Sequence, residues 1–230
     1  MDTEIVEVVT REGLGRLYVD PAVGGPPRAT LLLGHGAGGG VTAADLVLLA
    51  RRLPAVGVSV FRFEQPWRTA GRRIAVPPPR LDVGWRAAVP VALKQPAAGG
   101  PVLFGGRSAG ARVACRTADE FDAAGVVCLA FPLHLPGRPE RSRLPELLTP
   151  TAPRLVLQGG NDSFGRPAGI RAGLPAESGV VIVELPGADH SYRLPKGSAF
   201  TPANLRETVV HAVSEFVDVV LDEAITSGNS

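Results

Sequence analysis

The chain has 230 residues, of which 45% are hydrophobic, and its formal net charge at pH 7 is +2. A chain of this length and hydropathy can bury one substantial core, so residues 1–230 are expected to form a single domain. The nearly balanced charge gives no reason to expect nucleic-acid binding. No stretch approaches the ~18 apolar residues of a membrane span, and the first residues lack the pattern of an export signal. We therefore expect a cytoplasmic protein with no membrane partner.

The sequence contains two cysteines, Cys115 and Cys128. Cysteine is among the most buried residue types, and cytosolic thiols stay reduced. We expect two buried thiols, with a disulfide or a metal pair as the alternative.

Eight apolar segments are predicted as strands: Ile5–Val9, Leu17–Asp20, Ala29–Leu33, Val58–Phe63, Val102–Phe104, Val126–Phe131, Arg154–Leu157 and Val180–Leu185. The first two are expected to pair antiparallel within residues 1–27. The later ones are continuous apolar runs, which are typical of parallel strands buried on both faces. Four segments between them are compatible with helices: Ala43–Leu53, Leu81–Leu93, Ala109–Thr117 and Asn204–Leu221. This alternation predicts an α/β domain with a mostly parallel central sheet and helices on both faces.

The last helix has the clearest ends, with Thr201 and Pro202 at its start and Gly228 past its end. Residues 223–230 are expected to form a flexible tail. The segments Pro77–Pro79 and Pro132–Pro145 are expected to be irregular surface loops. No long insertion follows the strand that ends near Phe131, so no large lid is expected.

The segment from Gly106 to Gly110 reads G-R-S-A-G and lies between a predicted strand and a predicted helix. Strand, G-x-S-x-G and helix is the context in which a serine becomes a nucleophile. Ligands of such sheets bind at the carboxyl ends of the strands, where Ser108 lies. The alternative interpretation is a glycine-rich turn with no chemical role.

A second glycine-rich loop, Gly34–Gly40, follows the third strand. Its backbone could donate one N–H to an oxyanion, and the amide of Ala109 could donate another. The competing interpretation is a phosphate loop, but the segment lacks a G-K-[ST] ending, and Glu64 only ambiguously supplies the acid of a dinucleotide pattern. His35 is expected to pack and bond this loop rather than to react.

Two further strand ends carry an acid and a base. Asp162 follows the seventh strand and could accept the Nδ1 proton of a histidine, although a turn or N-cap role is the alternative. His190 follows the last strand and could act as a general base. Asp189 could replace Asp162 as the acid, but a residue rarely points its side chain at the ring of its chain neighbour. The chain order of serine, acid and histidine is the order of the α/β-hydrolase arrangement.

The chain resembles the α/β-hydrolase superfamily over nearly its full length, and more narrowly the compact, lidless dienelactone-hydrolase-like and KANL3/Tex30-type hydrolases. The segments that carry the likeness are His35–Gly39, Phe61–Phe63 with Pro66–Arg68, Gly105–Gly110, Phe131–His134, Gln158–Gly165 and Ala188–Ser191.

The resemblance implies a single-domain α/β-hydrolase fold with nucleophile Ser108, acid Asp162, base His190, and oxyanion donors at the amides of Ala37 and Ala109. It implies a serine hydrolase of the carboxylic ester class that acts on a small-molecule acyl substrate and needs no cofactor or metal. Dienelactone hydrolases proper carry a cysteine nucleophile, whereas this chain has a serine. The alternative function is a non-enzymatic module of the same fold that binds a ligand or a protein.

The residues expected near a substrate pocket are Gln65, Trp67, Arg107 and His134, with core packing as the alternative for Trp67. Six arginines between residues 62 and 86 give that region a basic bias. Such clusters are usually solvated faces, and attraction for an anionic substrate is the sharper hypothesis. The sequence leaves the oligomeric state open.

Overall fold

A computed structural model describes residues 3–228, which form one eight-stranded sheet covered by helices on both faces. The strands are β1 Glu4–Thr10, β2 Gly13–Asp20, β3 Ala29–Gly34, β4 Val58–Glu64, β5 Val102–Arg107, β6 Gly125–Leu129, β7 Arg154–Gly159 and β8 Val180–Leu185. Their order across the sheet is β1-β2-β4-β3-β5-β6-β7-β8. All eight predicted strands are therefore present.

The sheet is parallel from β4 to β8, and its first two strands are antiparallel. β1 pairs antiparallel with β2, and β2 pairs antiparallel with β4. Every later pair is parallel, and the register places Gly34 of β3 beside Gly106 of β5. The carboxyl ends of these strands thus meet at one edge, which confirms the predicted fold class.

Seven α-helices lie on this sheet among the described residues: α1 Ala44–Arg52, α2 Pro66–Thr69, α3 Pro78–Leu93, α4 Ala109–Thr117, α5 Leu144–Leu147, α6 Pro167–Gly173 and α7 Pro202–Gly228. Helices α1 and α7 bury apolar side chains against one face, and α3 and α4 bury theirs against the other. Apolar burial on both faces explains why the later strands are continuous hydrophobic runs.

Three short helices, α2, α5 and α6, are absent from the sequence prediction. Each has four to seven residues and a proline in its first turn, so none is long enough to show a helical repeat. The prediction of a loop at Pro77–Pro79 is wrong at its end, because α3 begins at Pro78. Proline suits the first turn of a helix, where a backbone N–H has no partner within the helix.

The connection between β6 and β7 contains only α5, so no large lid covers the sheet edge. Helix α7 begins at Pro202 as predicted, with Thr201 Oγ1 accepting the N–H of Asn204 at 3.1 Å. The helix runs to Gly228 and therefore includes residues 223–228 of the segment 223–230, which is expected to be a flexible tail. Residues 229–230 lie outside the described residues, and the flexibility of the tail stays a prediction.

The two cysteines are free and fully buried, with their Sγ atoms 3.6 Å apart. The hydrogen bond with the Cys115 thiol, together with burial, raises the pKa of Cys128 well above its usual value, so Cys128 remains protonated at neutral pH. Among residues 3–228, each helix is either too short or too polar to span a membrane.

Glu146 of α5 forms ion pairs with two arginines of α4. We expect these ion pairs to stabilise the fold at neutral pH and to be lost in acid. Glu146 pairs with Arg112 at 2.6 Å and Arg116 at 2.5 Å, and Arg116 also pairs with Asp82 of α3. Burial raises the pKa of Glu146, but the hydrogen bonds and charges of both arginines outweigh burial and lower it. Its ionised form therefore stabilises the fold above the usual glutamate pKa of about 4.5. That contribution is lost as the pH falls through the lowered folded value.

Replacing Glu146 with glutamine is expected to cost about 2 kcal/mol of unfolding free energy at pH 7, because charged hydrogen bonds are lost. Urea unfolding at several pH values from 7 to 3 should show that the difference in unfolding free energy between the wild type and Glu146→Gln becomes smaller as the pH falls. Glu207→Gln is the matched control, since the Glu207 side chain is 65% exposed and pairs with Arg52. Its cost should stay below about 0.5 kcal/mol. Equal effects of the two changes would contradict the expectation.

Candidate active site

Ser108 occupies a strained turn between β5 and α4. Its φ of 51° and ψ of −109° lie in a region that non-glycine residues rarely adopt. A Cβ at Gly106 would lie 2.5 Å from the carbonyl oxygen of Gly34, and one at Gly110 would meet the same oxygen. Both flanking positions therefore need glycine.

His190 lies between Ser108 and Asp162. Its Nε2 is 3.0 Å from Ser108 Oγ, and its Nδ1 is 2.8 Å from Asp162 Oδ2. The Asp162 side chain is fully buried, and 19% of the His190 side chain is exposed. With Nδ1–H donating to the carboxylate, Nε2 is the acceptor for the serine hydroxyl. The three residues are brought together from three strand ends.

Asp162 has two further donors, which hold its carboxylate in place. Oδ2 accepts from Gln158 Nε2 at 2.9 Å, and Oδ1 accepts from the N–H of Phe164 at 2.8 Å. The bond to Phe164 closes a turn, which was the alternative role predicted for Asp162. Asp162 therefore both stabilises this turn and binds His190. The ring of Phe164 also stacks on His190, with centroids 4.1 Å apart.

Asp189 does not contact the His190 ring. Its Oδ1 accepts the backbone N–H groups of Ser191 and Arg193 at 2.7 and 2.9 Å. The adjacent carboxylate therefore shapes the loop after β8, and Asp162 is the acid that reaches the histidine.

His35 holds the glycine-rich loop against β4, as predicted. The side chain is buried, Nδ1–H donates to the Gly36 carbonyl at 2.9 Å, and Nε2 accepts the N–H of Gln65 at 3.1 Å. Burial lowers the pKa of His35 to about 4. The ring is therefore neutral at physiological pH and has both nitrogens occupied.

The loop beyond His35 runs beside Ser108. A Cβ at Gly36 would lie 3.5 Å from Ser108 Cβ. Among residues 3–228, no acceptor pairs with the amide of Ala37 or of Ala109. Two backbone donors near the serine are thus free to bind an anionic oxygen.

Two residues that the sequence did not single out, Tyr192 and Asp45, support the His190 loop. Tyr192 donates its hydroxyl to the Leu157 carbonyl at 2.7 Å and accepts the N–H of Ala130 at 2.9 Å. Burial raises the pKa of Tyr192 well above its usual value, so the hydroxyl keeps its proton. These bonds tie the loop to the ends of β6 and β7.

Arg107 connects the serine turn to the same loop. Its guanidinium pairs with Asp45 of α1, donates to the carbonyl oxygen of His190, and lies 5.1 Å from the ring centroid of Tyr192. The Asp45 side chain is 5% exposed and that of Arg107 is 14% exposed. The ion pair is therefore largely buried.

Arg107→Met is expected to cost about 3 kcal/mol of unfolding free energy, because it leaves the buried Asp45 carboxylate unpaired. Adding Asp45→Asn should recover part of that loss, since the second change removes the unpaired charge. Urea unfolding of the two single variants and the double variant gives the coupling energy. Additive losses would contradict a direct ion pair.

The other three predicted pocket residues take different positions. Gln65 and Trp67 are buried, and the Trp67 ring centroid lies 5.4 Å from that of His35. Trp67 belongs to the core, which was the alternative interpretation. His134 is half-buried, and its N–H donates to the Phe164 carbonyl at 2.9 Å. His134 is thus bonded to Phe164, the residue whose ring stacks on His190.

The arginines between residues 62 and 86 are partly neutralised. Arg62 pairs with Asp20 at 3.0 Å, and Arg80 and Arg86 pair with Glu12 and Glu120.

Within residues 3–228, no group of three or more His, Cys, Asp or Glu side chains is placed to hold a metal ion.

The sequence matches a family model described as an alpha/beta hydrolase domain over residues 27–218. No curated protein matches the chain. Solved structures that resemble it include an a/b serine hydrolase without lid from Xanthomonas campestris, with 20% identity, a TM-score of 0.71, and coverage of 94% of this chain and 95% of that one.

A dienelactone hydrolase from Anabaena variabilis is also similar, with 19% identity, a TM-score of 0.70, and coverage of 94% and 97% of the two chains. Est1E from Butyrivibrio proteoclasticus, solved with ferulic acid bound, has 17% identity, a TM-score of 0.71, and coverage of 91% and 98%. These likenesses concern the fold. Together with the family match across most of the sequence, they show that the chain belongs to the alpha/beta hydrolase domain family.

Proposed function

We propose that the protein is a serine hydrolase that cleaves a small carboxylic ester through an acyl-enzyme intermediate. The observation that carries the proposal is the continuous hydrogen-bonded series from Ser108 Oγ through His190 to the Asp162 carboxylate, at 3.0 and 2.8 Å. Nucleophile, base and orienting acid within hydrogen-bond reach of one another are the signature of an activated serine. Membership of a hydrolase family supports this proposal.

In the first half of the reaction, Ser108 Oγ attacks the acyl carbon and His190 Nε2 takes the hydroxyl proton. Asp162 keeps the other proton on Nδ1 and stabilises the imidazolium. The carbonyl oxygen becomes an oxyanion, and the free amides of Ala37 and Ala109 are the proposed donors to it. The carbon–oxygen bond of the ester then breaks, and the alcohol leaves with the proton from His190.

In the second half, His190 removes a proton from water, which attacks the acyl-serine carbon. The same two amides hold the second oxyanion. Collapse of this intermediate releases a carboxylic acid and returns the proton to Ser108 Oγ. Every proton passes through His190, so no metal or redox group is required in the proposal.

Reaction with a fluorophosphonate probe tests the proposal directly. An activated Ser108 should attack phosphorus, displace fluoride and gain the mass of the phosphonyl group, located by mass spectrometry of the peptide. Asp162→Asn should slow the labelling strongly, since the histidine loses its orienting acid. A protein whose serine stays unlabelled would be a ligand-binding or protein-binding module of the same fold.

A further inference from the structure

A cavity of about 450 Å³ lies between α1, α7 and the loop that follows β8. Its volume falls within the ~300–1,000 Å³ of small-molecule sites. Part of its wall is apolar and comes from both helices and the loop, namely Leu48, Leu194, Leu205 and Val209. The cavity therefore has room and apolar surface for a small ligand.

The cavity borders the candidate active site without containing it. Its lining includes Arg107 and Ser191, the chain neighbours of Ser108 and His190, but neither Ser108 nor His190. A ligand here would lie on the α1 and α7 side of the Arg107 side chain. It would not be placed for attack by the serine hydroxyl.

The lining carries surplus positive charge. It has three arginines and one carboxylate, and that carboxylate, Asp45, pairs with Arg107. Among residues 3–228, the guanidinium groups of Arg193 and Arg206 have neither an acidic partner nor a hydrogen bond. Two unneutralised cations therefore flank an apolar wall.

We propose that this cavity is a binding site for a small amphipathic anion, an aliphatic carboxylate. Its chain would cover the apolar wall, and its carboxylate would pair with Arg193 and Arg206. Guanidinium groups bind carboxylates through two parallel hydrogen bonds. The apolar wall favours such an anion over a wholly polar one such as inorganic phosphate, because burial of the aliphatic chain adds favourable free energy of binding. The site is separate from the proposed hydrolysis.

Calorimetric titration of sodium octanoate into the Ser108→Ala variant tests the site without turnover. We expect one octanoate per chain and an affinity that falls as ionic strength rises, because the arginines are exposed. Octylammonium has the same chain with the opposite charge, and acetate has the same charge without the chain. Both should bind at least about tenfold more weakly, a difference of about 1.4 kcal/mol.

Two variants of the lining distinguish the contribution of charge to octanoate binding from the contribution of cavity shape. The double variant Arg193→Gln, Arg206→Gln should bind octanoate about tenfold more weakly. Ala44→Trp, at an exposed position of the lining, should fill the space and weaken binding whatever the charge. The matched control is Arg72→Gln with Arg73→Gln, two exposed arginines outside this lining, which should leave the affinity unchanged.

Labelling of the wild-type serine by the fluorophosphonate should proceed at the same rate with and without saturating octanoate. Slower labelling would mean that octanoate binds in front of Ser108, and it would contradict the proposal that the cavity is a separate site. Absence of binding, or binding that survives loss of both arginines, would overturn the proposal as well. If Ser108 fails to label at all, the proposed hydrolase function falls, while the calorimetric result on the cavity stands unaffected.

Discussion

Ser108→Ala is expected to lower kcat for p-nitrophenyl acetate by at least about 10⁴-fold, because it removes the atom that forms the acyl-enzyme. The free amides of Ala37 and Ala109 remain, so slow attack by water is the residual reaction. The unfolding free energy should change by less than about 1 kcal/mol, because alanine deletes only the hydroxyl. Stopped-flow or steady-state release of p-nitrophenol measures the loss, and urea unfolding verifies the fold.

Ser163→Ala is the matched control for this change. Ser163 is exposed and adjoins Asp162, but among residues 3–228 its side chain makes no hydrogen bond to His190 or Asp162. Its kcat should stay within about threefold of the wild type, as surface changes usually do little. Ester hydrolysis that survives in Ser108→Ala at the wild-type rate would show that another residue is the nucleophile.

The meeting of Ser108, Asp162 and His190 at one edge of the sheet was predictable, because each residue follows a local sequence pattern. A continuous apolar run ending in glycines marks β5, and the same kind of run precedes Asp162 and His190. Parallel strands bring their carboxyl ends to one edge, so three local patterns suffice to predict a common site. The preference for Asp162 over Asp189 rests on a simple rule: a residue rarely points its side chain at the ring of its chain neighbour. The structure agrees, because Asp162 Oδ2 lies 2.8 Å from His190 Nδ1.

The supporting contacts were not predictable because they join distant parts of the chain. Asp45 and Arg107 are 62 residues apart, and Tyr192 bonds Leu157 across 35 residues. No local pattern distinguishes such a tyrosine from one that merely packs. The burial of Trp67 was equally undetermined, because this residue of α2 shares its core with Leu81 and Trp85 of α3, which the local sequence does not place beside it.

Asp162→Asn is expected to lower kcat by about 10⁴-fold with little change in KM, because the neutral amide no longer holds the proton on His190 Nδ1. With the proton on Nε2 instead, the imidazole cannot accept the hydroxyl proton of Ser108. The amide side chain has nearly the same size as the carboxylate, so the turn through the N–H of Phe164 should persist. Initial rates from pH 5 to pH 10 should stay low throughout, which separates a wrong tautomer from a shifted titration.

Asp189→Asn provides the comparison that decides which aspartate acts on the histidine. Among residues 3–228, its side chain accepts only backbone N–H groups of its own loop, and an asparagine Oδ1 can accept the same bonds. We therefore expect less than a tenfold change in kcat, since local side chain to backbone bonds are preserved. A large loss of kcat in Asp189→Asn together with a small loss in Asp162→Asn would show that Asp189 orients the His190 ring. The 2.8 Å contact between His190 Nδ1 and Asp162 Oδ2 predicts the opposite order.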